Sequence, residues 1–255
     1  MLFYYELVIF VLGLIIGSFL NCLIWRYYKD EDLGGRSYCP ACHHQIAWYD
    51  NIPLLSFIIL RGRCRHCRGR ISWQYPLVEL ATAVFFVLVF RLDWLQPHFD
   101  WRLLRDLLAV VTLIFVFVYD YRWQLIPTEF VALSGGAIFI LNIFLGVYWF
   151  NLILFALIGA VFFLIQYLVT HRKGIGEGDI WLGAWLGVLF PEGATLLLVM
   201  FIAYCLGAIV GLTLMSRRRK TWKSALPFGP FLATAAIIAL IWARPLIYWY
   251  LGLWP

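Results

Sequence analysis

The sequence predicts an all-α polytopic membrane protein, and three observations carry that prediction. Of its 255 residues, 64% are hydrophobic and only 13% are charged, and the mean hydropathy is +0.85. A soluble domain has about 45–50% apolar and roughly 25% charged residues, so this chain cannot cover its apolar surface in water. Intrinsic disorder fails on the same composition, because it needs low hydrophobicity. The apolar residues also form long continuous stretches, not the ~10-residue alternating segments of a β-barrel.

A spanning helix needs about 20 apolar residues. Stretches at 2–25, 77–91, 104–120, 129–148, 150–170, 179–190, 194–215 and 227–243 give about eight transmembrane helices, with 77–91 and 179–190 drawing on neighbouring residues for length. The first stretch is too long for a cleaved signal peptide, ends on polar Gly17, Ser18 and Asn21, and has no A-x-A site after it, so it is expected to be retained. With the N-terminus outside, sixteen of the twenty Lys and Arg residues fall inside, in segments 26–76, 121–128, 171–178 and 216–226. Only Arg91, Arg102, Arg105 and Arg244 lie on the other side. This asymmetry follows the positive-inside rule. The net charge of +6 is then explained by basic loops on an anionic leaflet, and no nucleic acid is needed as a partner beside the lipid bilayer.

The chain divides into a first transmembrane helix at 1–25, a polar cytoplasmic insert at 26–76, and a helical core at 77–255. No internal repeat or low-complexity tract stands out. Gly and Pro at 127, 174–178, 191 and 227–230 fall between the helices, where turns belong.

The insert carries two CxxC pairs, Cys39-Pro-Ala-Cys42 and Cys64-Arg-His-Cys67, with 21 residues between them. Two such knuckles give the four thiolates of a tetrahedral zinc site, and four thiolates leave no open coordination position, so the metal is structural. Two disulfides are the rival reading, but the topology puts this loop in a reducing compartment. A thioredoxin-like redox role would need a βαβ unit, and none is visible. His43, His44 and His66 adjoin the cysteines as substitute ligands. Cys22 and Cys205 lie in apolar helices and read as packed thiols. The fold class is thus about eight transmembrane helices with a small cytoplasmic zinc-binding insert.

Ionisable groups at membrane depth are costly and usually functional. Glu6 and Asp106 sit near the outer ends, within reach of headgroups, and Glu129 begins a helix, where a carboxylate favours the dipole. Glu79 opens the second helix with no evident role. Asp120 closes the third helix, and Asp179 opens the sixth in Gly176-Glu-Gly-Asp179. Two complete crossings separate these aspartates, so they lie on one side, the cytoplasmic one by the charge count. Two carboxylates at one depth can share a proton and a water, one acting as acid and the other as base. The preceding glycines allow close backbone approach to the partner carboxylate or to an extended substrate. The plain alternative is that each aspartate only caps a helix or meets an interfacial Arg. No HExxH, GxSxG or P-loop occurs, which leaves metalloprotease, serine hydrolase and P-loop ATPase readings without support.

Together these residues resemble the type IV prepilin leader peptidases, which are GxGD intramembrane aspartyl proteases. Gly17-Ser-Phe-Leu-Asn21 followed by Arg26 resembles the family's first helix, and the paired CxxC insert lies where the family has it. Tyr75-Pro-Leu-Val-Glu79 resembles the lead into the second helix, and Pro227-Phe-Gly-Pro-Phe231 the start of the last. Asp120 with Ile126-Pro127, and Gly176-Glu-Gly-Asp179, resemble the two catalytic motifs.

The resemblance implies that Asp120 and Asp179 are catalytic. It also implies removal of the basic leader of prepilins or pseudopilins after a glycine, at the cytoplasmic face of the inner membrane, for type IV pili or type II secretion. Many members also methylate the new N-terminus from S-adenosylmethionine, although no motif for that cofactor is readable here. Trp181 stands where the family usually has Lys, and Thr128 where it usually has Asp or Asn. Two other classes are the alternatives: a proton- or ion-coupled transporter with the insert as docking module, and a non-enzymatic scaffold of pilus or secretion machinery. A transporter would show paired half-helices at the midplane or a repeat between halves. Neither is visible, and both key acids lie near one face.

Overall fold

The computed structural model describes residues 2–32, 34–94, 99–171, 175–216 and 226–252. Gly174 and the basic residues Arg172, Lys173, Arg217, Arg218, Arg219, Lys220 and Lys223 lie outside them. Every apolar stretch of the sequence folds as a helix. In chain order these are α1 (Leu2–Lys29), a 3-10 turn (Trp48–Asn51), the short α2 (Leu55–Ile59), α3 (Gln74–Asp93), α4 (Phe99–Trp123), α5 (Thr128–Phe144), α6 (Trp149–Val169), α7 (Glu177–Leu189), α8 (Gly193–Ser216) and α9 (Gly229–Tyr250). Strand-like pairing among the described residues is limited to isolated bridges, Tyr38 with Gln45 and Arg63 with Arg70. Among the described residues, five helices are long and apolar enough to cross a membrane: α1, α3, α6, α8 and α9. Helix α5 is apolar but shorter at 17 residues, and α7 has 13. The chain is an all-α polytopic membrane protein.

Residues Met1–Trp94 form one unit and Leu95–Pro255 another. In the first, α1 and α3 pack backbone to backbone. A Cβ on Gly13 would stand 2.5 Å from Ala83 Cα, and one on Gly17 2.7 Å from Glu79 Cα. Small residues one turn apart are what let membrane helices approach this closely. Buried Asn21 ties the helices further: its amide donates to Gly17 O and Tyr75 O, and its Oδ1 accepts from Gln74 Nε2 at 3.2 Å. Arg26 is buried at the end of α1 and donates to the carbonyls of Asp32, Gly34, Gly35 and Arg36, which folds the first loop of the insert around its guanidinium. At the other end, Glu6 pairs with Arg91 at 2.7 and 2.9 Å.

In the second unit the helices pack in the order α6, α7, α5, α4, α9, α8. The α6–α7 contact is close because Gly159 and Gly183 face one another and Gly187 faces the Phe155 carbonyl. Around it, Leu113, Phe163, Leu182, Leu186 and Leu232 are fully buried. Helix α6 nevertheless exposes Leu157, Ile165 and Val169, so it is apolar on every face, as a helix in lipid is. Near the start of α4, Asp106 is buried and paired with Arg105, not turned to headgroups. Arg105 also reaches Asn142 Oδ1, and Asn142 Nδ2 donates to Val188 O at 2.8 Å, which fastens α4, α5 and α7 together.

Candidate functional site

Asp120 lies one turn before the end of α4 and is only 4% exposed. Its Oδ2 accepts a 2.8 Å hydrogen bond from the Gly229 N–H. Gly229 is the first residue of α9, and the first amides of a helix have no partner within it and carry the positive end of its dipole. The amide is therefore a ready donor for a carboxylate. A larger residue would crowd the carboxylate: a Cβ at 229 would stand 2.6 Å from that same Oδ2.

Asp179 is the third residue of α7 and is 5% exposed. Its Oδ2 accepts from the Gly176 N–H at 2.9 Å, the reciprocal half of a helix-start capping arrangement. Its Oδ1 is buried and makes no hydrogen bond among the described residues, so that oxygen is open to a reacting group. The two motifs meet through Gly178, where a Cβ would lie 2.5 Å from Ile126 Cβ. Ile126 follows Asp120 in the connection to α5, so the glycine before Asp179 lets its backbone rest on the segment after Asp120. Asp120 lies within electrostatic reach of Asp179.

Each aspartate thus has one oxygen held by the amide of a glycine at the N-terminus of a helix. The two carboxylates come from different helices into one buried place. Such a pair can activate a water and protonate a carbonyl oxygen.

Sequence reasoning missed three contributors. Gly229 belonged to a recognised motif, but its amide gave no signal because a backbone donor has no side-chain signature. Tyr204 of α8 lies within electrostatic reach of Asp179 and donates to Gln166 Oε1 of α6 at 2.5 Å. Its ring stacks 5.0 Å from Phe228, the neighbour of Gly229. A count confined to Asp and Glu passes over a lone Tyr and Gln. Trp181 is half exposed on α7, Thr128 is the first residue of α5, and Glu129 and Glu177 are exposed in the first turns of α5 and α7.

In the first unit Cys39, Cys42, Cys64 and Cys67 gather, with all four Sγ atoms within 4.8 Å of one another. Tetrahedral Zn–S bonds of about 2.3 Å require sulfurs roughly 3.8 Å apart, and Cys39 Sγ and Cys67 Sγ are 4.0 Å apart. The four thiols therefore fit a zinc ion. The two knuckles share one hydrogen-bond pattern. Cys39 N–H donates to His44 O and His43 N–H to Cys39 O, and Cys64 N–H to Gly69 O and Arg68 N–H to Cys64 O. His43 and Arg68 hold positive φ at the same point of each turn. The amide of Cys67, and after it that of His66, pull the Cys64 thiol down to about 7, while, against the amide of His44, burial and the neighbouring Cys67 and Cys39 thiols push Cys42 up to about 11. His44 and His66 stack at 4.3 Å beside this cluster and are not part of it.

The family model "Bacterial Peptidase A24 N-terminal domain" matches residues 11–92, and "Type IV leader peptidase family" matches residues 107–212. The prepilin leader peptidase/N-methyltransferase of Aeromonas hydrophila is 34% identical over 287 residues, covering 97% of this chain and 94% of the relative. Its namesake in Pseudomonas aeruginosa is 33% identical over 94% of this chain and 91% of its own. That of Legionella pneumophila is 34% identical over 86% and 76%. No solved structure matches the chain. The order of motifs, the paired carboxylates, the four-cysteine insert and these relatives agree, and the chain belongs to the type IV leader peptidase family.

Proposed function

We propose that this protein is a membrane-embedded aspartyl endopeptidase that removes the basic leader from type IV prepilins or pseudopilins, with Asp120 and Asp179 as its catalytic pair. The observation that carries the reading is the buried pair itself: two carboxylates from separate helices, each held at one oxygen by a glycine amide. In the reaction, the ionised carboxylate takes a proton from water as the water oxygen bonds to the scissile carbonyl carbon. The protonated carboxylate gives its proton to the carbonyl oxygen. The tetrahedral diol then collapses: one diol hydroxyl returns its proton to the ionised carboxylate as the C–N bond breaks and the protonated carboxylate gives its proton to the leaving amine, which leaves the pair again with one proton between them. The Gly176 and Gly229 amides keep each carboxylate aimed through these steps.

The names of the relatives also support N-methylation of the newly exposed amine. S-adenosylmethionine, when bound, supplies a sulfonium methyl group for that transfer. Cys39, Cys42, Cys64 and Cys67 would hold a structural zinc that stiffens the insert. The distribution of Lys and Arg supports an inner-membrane protein crossing about eight times, with its N-terminus outside and its active site near the cytoplasmic face. The test is to incubate purified protein with a prepilin and S-adenosylmethionine and to weigh the products. A pilin shortened by its leader and heavier by one methyl group is expected. Intact prepilin would refute the reading.

A further inference from the structure

The insert contains one apolar run, Ile52-Pro-Leu-Leu-Ser-Phe-Ile-Ile-Leu60, which includes α2. In an aqueous loop this run would be expected to fold inward. Instead Leu55, Ile58 and Ile59 are 50%, 70% and 63% exposed. Trp73, just before α3, is 70% exposed, and its ring packs 5.0 Å from Phe57 of α2. The exposed face continues into Leu77 on α3.

The depth of this run follows from its anchor. Leu54 N–H donates to Glu79 Oε2 at 2.8 Å, and Glu79 Cα abuts Gly17, the neighbour of Ser18 on α1. The Glu6–Arg91 pair marks the outer ends of α1 and α3. Ser18 lies twelve residues from Glu6 along α1, and Glu79 twelve from Arg91 along α3. At about 1.5 Å per residue both counts give roughly 18 Å. The hydrocarbon core is about 30 Å thick, so the Glu79 backbone lies roughly 12 Å short of the inner boundary, and Leu54 is held within one side chain's reach of that level. Counted in the same way, Arg26, with its cage of carbonyls, falls near that boundary.

We propose that residues 52–60 form a re-entrant segment that leaves the cytoplasmic surface, dips into the inner leaflet with α2 facing lipid acyl chains, and is pinned there by Glu79. Backbone at that depth must have its polar groups satisfied from within the protein. Pro53 has no N–H, Leu54 N–H is taken by Glu79, and the amides of Leu55, Ser56, Ile58 and Leu60 find the carbonyls of Pro53, Ile52, Leu54 and Ser56. The Ser56 hydroxyl is turned onto Ile52 O at 2.6 Å. Exposed Arg61 and Arg63 follow directly, where the chain returns to headgroup level and anionic lipids complement their charge. This gives Glu79 a role: it satisfies a non-helical backbone amide in the membrane and fixes the depth of the insert. The inference is independent of the catalytic reading.

The test places p-benzoylphenylalanine at Ile58, and separately at lipid-facing Ile15 of α1, in the full chain. Each protein is irradiated in nanodiscs of phosphatidylethanolamine and phosphatidylglycerol, and its peptides are weighed. The tryptic peptide 37–61 is expected to gain the mass of one phospholipid, as the Ile15 peptide does. In a Glu79→Leu background the Ile58 adduct should be lost while the Ile15 adduct persists. Glu79→Gln, which keeps an acceptor, should retain both. Three results would overturn the proposal: lipid labelling at Ile15 with none at Ile58, cross-links from Ile58 to protein alone, or an adduct indifferent to Glu79→Leu.

Discussion

Replacing Gly229 by alanine leaves its amide donor in place and adds one methyl group beside the Asp120 carboxylate. The new Cβ would stand 2.6 Å from Asp120 Oδ2 and 3.1 Å from Asp120 Cγ, where ordinary contact begins at 3.4 Å. The carboxylate or the start of α9 must therefore retreat by roughly 0.8 Å. Asp120 is 4% exposed, so its carboxylate must shift within the protein interior. Misplacing a reacting group by about 1 Å costs about 100-fold in rate, and over-packing a tight site costs about 1–3 kcal/mol of stability. Gly229→Ala should thus remain folded but cleave a prepilin about 100-fold more slowly in single-turnover assays. Gly136→Ala is the control, because a Cβ there meets no atom within 4 Å. A folded Gly229→Ala protein cleaving within about threefold of the parent would refute the claim that this amide positions Asp120.

Gly178→Ala should impair cleavage comparably in the same assay, since its Cβ would press on Ile126 Cβ at 2.5 Å and drive the two motifs apart. Asn142→Leu removes the bonds to Val188 O and Arg105 and should lower stability by about 1–3 kcal/mol, read as a fall in the unfolding midpoint. Cys64→Ser should reduce zinc from about one ion per chain in elemental analysis, because the metal then lacks a ligand. If the insert carries methyl transfer, that variant should still cleave, because both aspartates lie outside the insert, but leave its product unmethylated; joint loss of both activities, read from the product mass, would show that the insert only clamps substrate.

The hydropathy pattern identified every long helix because lipid enforces continuous apolar stretches, and that constraint is written residue by residue. The CxxC pairs were equally legible: two pairs of thiols at fixed spacing call for a shared site, and the four sulfurs do gather. Asp120 and Asp179 stood out because carboxylates in apolar helices are rare. Contacts between remote segments were not legible. Glu79 looked idle until Leu54 N–H was found on its carboxylate. Gly13 and Gly17 show their purpose only against Ala83 and Glu79. The run at 52–60 is too short to span, so its apolar character was masked by the polar insert around it. Glu6 and Asp106, given to headgroups from their position alone, have arginine partners, one of them far along the chain at Arg91.

The central claim is that Asp120 and Asp179 act as one catalytic unit. Its most direct test is single-turnover cleavage of a prepilin by purified Asp120→Asn, Asp179→Asn and the double variant, with membrane insertion and unfolding midpoint checked in parallel. Each single change should slow cleavage by about 10²–10⁴-fold, and the double change should be no worse than either, because the two carboxylates share one proton-transfer task. Near-normal cleavage by either folded single variant would contradict the assignment.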